Sequence, residues 1–299
     1  MSSESSIEVR TRLTKHVDQL PILPQTLVRL LGIDPSSDDY FDALVALIGA
    51  EPGFAARVLV LANSVESASR APVTSIKAAV TRIGTRSTAN LIVALSVPKV
   101  FIPHDAWEKS LWRHALQVAV ASREFARVWA LPELDPDEAY LCGLLHDVGR
   151  FVLFQEAPAA LRQVDEGDWH SAAELVAQER AICGLTHPEL GALACEHWKL
   201  PLTIRDCVAR HHERLPPGEP KTRGEALLAV VRAADLVMFA STMPGTPAAD
   251  EVDDQALQAR LAEALPALVV LPIEAQRALI RGVREQAAVS VDLLGLGPG

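Results

Sequence analysis

Five histidines and two aspartates stand in the order His114, His146-Asp147, His187, His211-His212 and Asp235. Imidazole nitrogens and carboxylate oxygens bind divalent cations. With no thiolate among them, the set suits iron, manganese, magnesium or zinc better than copper(I) or an iron–sulfur cluster. One or two ions could be held. His114, His146, Asp147 and Asp235 make one donor group, His187, His211 and His212 make another, and Asp147 could bridge them. A pair of neighbouring ions is a device for activating water against phosphate. The same residues could instead close into a hydrogen-bonded network without an ion, Asp235 pairing with His146 or His114.

The elements that must position these residues are helices. His114 shares a stripe with Leu111, Val118, Phe125 and Trp129, so it points inward. Asp135-Pro136-Asp137-Glu138 spells a helix start, with an N-cap, a proline at the first position and a capping-box glutamate. That start places His146 and Asp147 several turns inside one helix, about 100° apart. Gly143 and Gly149 flank them and would let another helix approach closely. Thr186-His187-Pro188-Glu189 is a second capping-box spelling, with His187 in the first turn. His211-His212 end a helix that begins near Thr203. Asp235 lies in the apolar stretch 226–240, where Arg232 is the only other charge. A carboxylate buried there needs a cation or strong donors.

Apolar residues recur at three- and four-residue spacing nearly everywhere, and alternating patterns are scarce. The chain therefore reads as all-α, a two-lobed helical protein. Residues 1–19 form a polar N-terminal segment. Residues 20–105 form a lobe of short helices, and residues 106–240 the lobe carrying the cluster. Residues 241–299 hold a linker, Ser241 to Pro247, and two closing helices near 253–265 and 272–288. In the first lobe, Leu20-Pro21-Ile22-Leu23-Pro24 opens a helix and Asp34-Pro35-Ser36-Ser37 is a turn. Further helices start at Asp38, at Glu51-Pro52-Gly53 and at Thr74-Ser75, the last broken near Gly84 and resumed to Val97. Residues 78–92, with Gly84 at the break and Arg82 and Arg86 beside it, also spell a helix-turn-helix.

Several stretches carry a family resemblance. Leu144-Leu145-His146-Asp147-Val148-Gly149 resembles the signature of the HD superfamily of metal-dependent phosphohydrolases, and the ordered ligand set resembles that of its HD-GYP phosphodiesterase branch. The chain as a whole, over about Leu20 to Ala240, resembles the HDOD family. The matching stretches are 20–24, Glu51 to Ser64, Pro72 to Gly84 and His187 to Ala192. The resemblance implies an N-terminal lobe packed on an HD-like lobe. It also implies bacterial signal transduction through protein partners of the N-terminal lobe, and loss of the relatives' hydrolase activity. The ligand set is kept here, which leaves metal-dependent hydrolysis of a nucleotide or cyclic dinucleotide as the alternative. Two departures weigh against cyclic dinucleotides. Arg150 stands where the HD-GYP branch has lysine, and no Gly-Tyr-Pro follows His211-His212-Glu213. Arg150 can still bind phosphate through a bidentate fork.

A net charge of −10 argues against DNA binding, since a polyanion would be repelled. Cys142, Cys183, Cys195 and Cys207 form no C-x-x-C pair and sit in apolar stretches, which suits buried free thiols. The polar start and the lack of any long uncharged apolar run predict neither signal peptide nor membrane span, hence the cytoplasm. His16, His104, His170 and His197 match no position of the ligand series.

Overall fold

The computed structural model describes residues 6–20, 37–50, 52–63, 73–103, 105–131, 134–213, 220–239 and 254–293. Every described element is helical and no strand occurs among the described residues, so the chain is all-α, as its periodicity predicts. It divides into two compact units. One joins Met1–Leu20, Pro103–His197 and Leu202–Gly299; the other joins Pro21–Ile102 and Trp198–Pro201. The N-terminal segment and the closing helices both group with the unit that carries the cluster. The helix opening at Pro21 to Pro24, the turn at Asp34 to Ser36, the linker 241–247 and His104 lie outside the described residues.

The first helix, α1 (Ser6–Gln19), lies in a stretch that reads as polar. Val9, Leu13 and Val17, spaced by four, give it one buried face. That face packs on the helices Val148–Glu156, Ala172–Cys183 and His187–His197. His16 Nδ1 approaches Glu156 to 2.9 Å, and the His197 ring donates to the Leu20 carbonyl at 3.0 Å.

The unit spanning Pro21–Ile102 holds α2 (Asp38–Ala50), α3 (Pro52–Ala62), α4 (Ile76–Ile83) and α5 (Thr85–Val100). Leu44, Ile48, Phe54, Val58, Val80 and Ile92 fill its core. Asn63 ties the end of α3 to the following chain: its side chain donates to the Val73 carbonyl and accepts from the Val73 amide, at 2.9 and 2.8 Å. Ser75 caps α4 by accepting from the Ala78 amide. The break expected at Gly84 separates α4 from α5, which runs on to Val100.

The cluster-bearing unit continues with α6 (Ala106–Trp129), α7 (Pro136–Leu145), α8 (Val148–Glu156), α9 (Pro158–Asp165) and α10 (Ala172–Cys183). Beyond them come α11 (His187–His197), α12 (Leu202–Arg210), α13 (Arg223–Phe239), α14 (Asp254–Ala264), a 3₁₀ turn (Pro266–Leu268) and α15 (Ile273–Leu293). Asp105 caps α6 through the Glu108 amide at 2.8 Å. Trp112, Val118, Ala119 and Phe125 bury one face of α6 against α7, α13 and α15. α7 is buried along nearly its whole length, so the residues that follow it emerge deep inside the unit. No single helix among the described residues is long and apolar enough to cross a membrane.

Candidate metal centre

The chain does not run helically through His146 and Asp147. α7 ends at Leu145, and these two residues form a turn before α8 begins. Asp147 adopts φ −97° and ψ 15°, outside the helical range. The continuous helix expected from Asp135 is thus two short ones. The reason is tertiary: both side chains aim at the same point, which two adjacent positions on one straight helix reach less well.

Two close approaches hold the turn in place. A Cβ at Gly143 would lie 2.8 Å from the Val118 carbonyl oxygen of α6, and one at Gly149 would lie 2.0 Å from that of His187, the first residue of α11. Glycine is required at both because the neighbouring backbone fills the space of a side chain. The capping box at α11 forms as its spelling predicts. The Thr186 amide donates to Glu189, and the Glu189 amide faces the Thr186 hydroxyl at 3.4 Å.

All seven expected residues converge. His114 comes from α6, His146 and Asp147 from the turn, His187 from the start of α11, His211 and His212 from the turn ending α12, and Asp235 from α13. Their ligating atoms fall into two sets, His114, His146 and Asp235 in one, Asp147, His187, His211 and His212 in the other, with no two atoms of a set more than 4.8 Å apart. Asp147 divides its oxygens between them. Its Oδ1 lies 3.2 Å from His187 Nε2 and 3.7 Å from His211 Nε2, while its Oδ2 lies 3.5 Å from His146 Nε2 and 3.8 Å from His114 Nε2. Asp235 Oδ1 lies 3.1 Å from His114 Nε2. His187 Nε2 faces the Nε2 atoms of His211 and His212 at 3.1 and 3.0 Å.

Outer partners fix which nitrogen faces inward. Nδ1 of His146 donates to the Gly143 carbonyl at 2.7 Å, Nδ1 of His211 to the Val208 carbonyl at 2.8 Å, and Nδ1 of His187 to Glu179 at 2.7 Å. The proton on Nδ1 leaves the Nε2 lone pair aimed at the cluster, the usual second-shell arrangement of a metal-binding histidine.

The electrostatics fit a cation. Burial opposes ionisation of Asp147, yet His146 and His187 hold its carboxyl well below the usual carboxylate range. Burial is likewise outweighed at Asp235 by His114 and His146. Burial pushes His211 down, and burial together with His211 and His187 pushes His212 well down, so both rings present neutral lone pairs. His146 is the exception. Burial disfavours its charge, but Asp147 and then Asp235 raise it to about 9. The two carboxylates thus favour positive charge at this point, which a bound cation would supply. The fully buried His146 Nε2 makes no hydrogen bond. That orphaned nitrogen, the ionised carboxylates and the sulfur-free donor set together suit one or two hard or borderline divalent ions.

Residues 20–214 match the HDOD domain family. The chain belongs to the HDOD family. A protein of Treponema pallidum (strain Nichols) is 26% identical over 214 residues, which cover 69% of this HDOD chain and 42% of that protein. The HDOD chain thus spans less than half the length of that relative. Solved structures agree in fold. An HDOD domain protein of unknown function from Geobacter sulfurreducens aligns with a TM-score of 0.68 at 24% identity, over 94% of this chain and 99% of its own. A Shewanella amazonensis protein, provisionally named a metal-dependent phosphohydrolase, aligns with a TM-score of 0.63 at 20% identity, over 95% and 98%. A provisionally named signal transduction protein of Marinobacter aquaeolei gives 0.65 at 20%, over 99% and 67%.

Two residues of the HDOD centre escape a reading of the ligand series. Glu179 is fully buried on α10, accepts from both the amide and the ring of His187, and is held below its usual range by that ring and Arg150 despite burial. Its signal is the spacing Leu175, Glu179, Cys183, a carboxylate on the buried stripe of α10. Asp165 is the partner of Arg150. Arg150 does line the cavity beside the cluster, about 500 Å³ in volume, but its guanidinium is bound to Asp165 and lies 3.7 Å from Glu179. His16 and His197 serve α1, and His170 is exposed.

Proposed function

We propose that this HDOD protein is a bacterial signal-transduction regulator whose HD-type centre holds divalent metal and receives a phosphate-bearing ligand in the adjoining cavity. Its output passes to protein partners through the N-terminal lobe. The observation that carries the reading is the division of Asp147 between two ligand sets whose histidines each turn Nε2 inward. A network evolved only for hydrogen bonding would pair its buried donors and acceptors. Here His146 Nε2 is left over.

His114, His146 and Asp235 would hold one ion, and His187, His211 and His212 a second, with Asp147 serving both. Ions bound there would supply Lewis acidity towards a phosphate oxygen. The chain's own contribution is orientation. Glu179 and the Gly143 and Val208 carbonyls fix the three buried rings, and the helices around them exclude water.

Elemental analysis of untagged protein, wild type beside Asp147→Ala, tests this reading. Near-stoichiometric iron, manganese or zinc in the wild type, lost in the variant, is expected. A wild type that stays metal-free after soaking and desalting would leave a hydrogen-bonded relic, and the reading would fail.

Hydrolysis is the second reading. The shared Asp147 and the cavity beside it favour it, since that is how a two-ion centre meets a phosphate ester. Metal-dependent release of phosphate from a nucleotide, or opening of a cyclic dinucleotide, lost in His146→Ala, would establish it. Partner capture that survives His146→Ala and Asp147→Ala would speak for regulation without turnover.

A further inference from the structure

The wall of the cavity mixes cluster residues with side chains that have no place in metal binding. Asp147, His212 and Asp235 lie on it, as do Trp107, Trp169 and Arg113. Its other charged groups are almost all answered. Arg150 is bound to Asp165, Arg162 to Asp105, and Asp147 and Asp235 face the histidines. Glu166 is exposed to solvent. Arg113 differs. It sits half-buried on α6, next in sequence to His114, and makes no hydrogen bond or ion pair with any described residue. A cation placed beside a cluster of would-be metal ligands, with no carboxylate of its own, is suited to the anion that such a centre receives.

The two indoles offer a different surface. Trp107 Nε1 donates to Asp165 at 3.1 Å, and Trp169 Nε1 donates to the Val164 carbonyl at 2.8 Å. Their polar atoms are thus engaged within the protein, and what they can present to the cavity is apolar ring surface. Arg162 lies over the Trp107 ring, 4.2 Å from its centre, and covers one of its faces. Indole faces without free donors favour a planar organic group over a sugar alone.

We propose that Arg113 is the phosphate-recognition residue of this cavity, and that Trp107 and Trp169 receive the planar base of a nucleoside monophosphate. The proposal rests on the metal-centre reading and reassigns the anion contact from Arg150 to Arg113.

The test is calorimetric titration of manganese-loaded protein with 5′-AMP, 5′-GMP and ribose 5-phosphate, with metal content measured in every sample. Wild type should bind a purine monophosphate more tightly than ribose 5-phosphate. Arg113→Gln should keep its manganese and bind at least about ten-fold more weakly. Arg113→Lys, which keeps the charge but not the fork, should fall between them. Trp169→Leu should narrow the gap between the nucleotides and ribose 5-phosphate. The proposal is overturned if Arg113→Gln binds like wild type, if the nucleotides bind no better than ribose 5-phosphate, or if no probe binds at all. Absence of manganese from the wild type is a separate result and defeats the underlying reading itself.

Discussion

At the scale of single residues, the arrangement of the cluster depends on groups outside the seven clustered side chains. Glu179 is the clearest case, because it holds the His187 ring through two hydrogen bonds from a fully buried position. Glu179→Gln keeps the shape but removes the charge. We expect a folded protein whose affinity for manganese or zinc is about 10–100-fold weaker in a metal titration. An unchanged affinity would mean that His187 is oriented by other contacts. The cysteines show the opposite use of burial. Burial, then Cys207, pushes the Cys195 thiol up to about 12, and burial, then Glu179, does the same at Cys183. Neither thiol is then appreciably ionised at pH 8. Mass spectrometry should find both unmodified by a maleimide in native buffer and both modified in denaturant. Rapid native labelling at either would contradict their placement.

At the scale of elements, glycine-to-alanine changes should have opposite signs at two positions. At Gly149 the new methyl would collide with the His187 backbone of α11. The helices must part, which costs about 1–3 kcal/mol and displaces a ligand at the same time. A lower melting temperature together with reduced metal content is expected. At Gly282 on α15 nothing lies within 4 Å of the new methyl, so the same change should stabilise by about 0.5–1 kcal/mol and leave metal content alone. The seven clustered residues were legible in the sequence because they are metal-binding types whose order resembles the HD series. The turn at His146–Asp147 was not, since nothing local ends α7 there: neither glycine nor proline intervenes between Leu145 and Val148. The convergence of the ligands overrides local propensity. Glu179 was hidden among 38 acidic residues. α1 was hidden because its three buried apolar residues are diluted by charges, although their four-residue spacing was there to be counted.

At the scale of the whole molecule, the cluster-bearing unit is assembled from segments far apart in the chain. Its N-terminal helix contributes Val9, Leu13 and Val17 to the interior. Their burial is worth roughly 1.5–3 kcal/mol each. Removing residues 1–19 should lower the melting temperature by roughly 10 °C or more, read by circular dichroism. A truncated chain that melts with the full one would show α1 to be dispensable. The net charge of −10 gives a second expectation: despite the helix-turn-helix spelling of residues 78–92, no retardation of a DNA fragment at physiological salt. Retardation lost on Arg82→Ala would overturn that expectation. The bond between His197 and the Leu20 carbonyl spans 177 residues of chain. On a ribosome adding roughly 5–20 residues per second, α1 is made before the helix that ends at His197 and waits roughly 10–35 s for it. Through that interval the apolar face of α1 is not yet fully covered, which makes this early-made segment a place for a chaperone to shield.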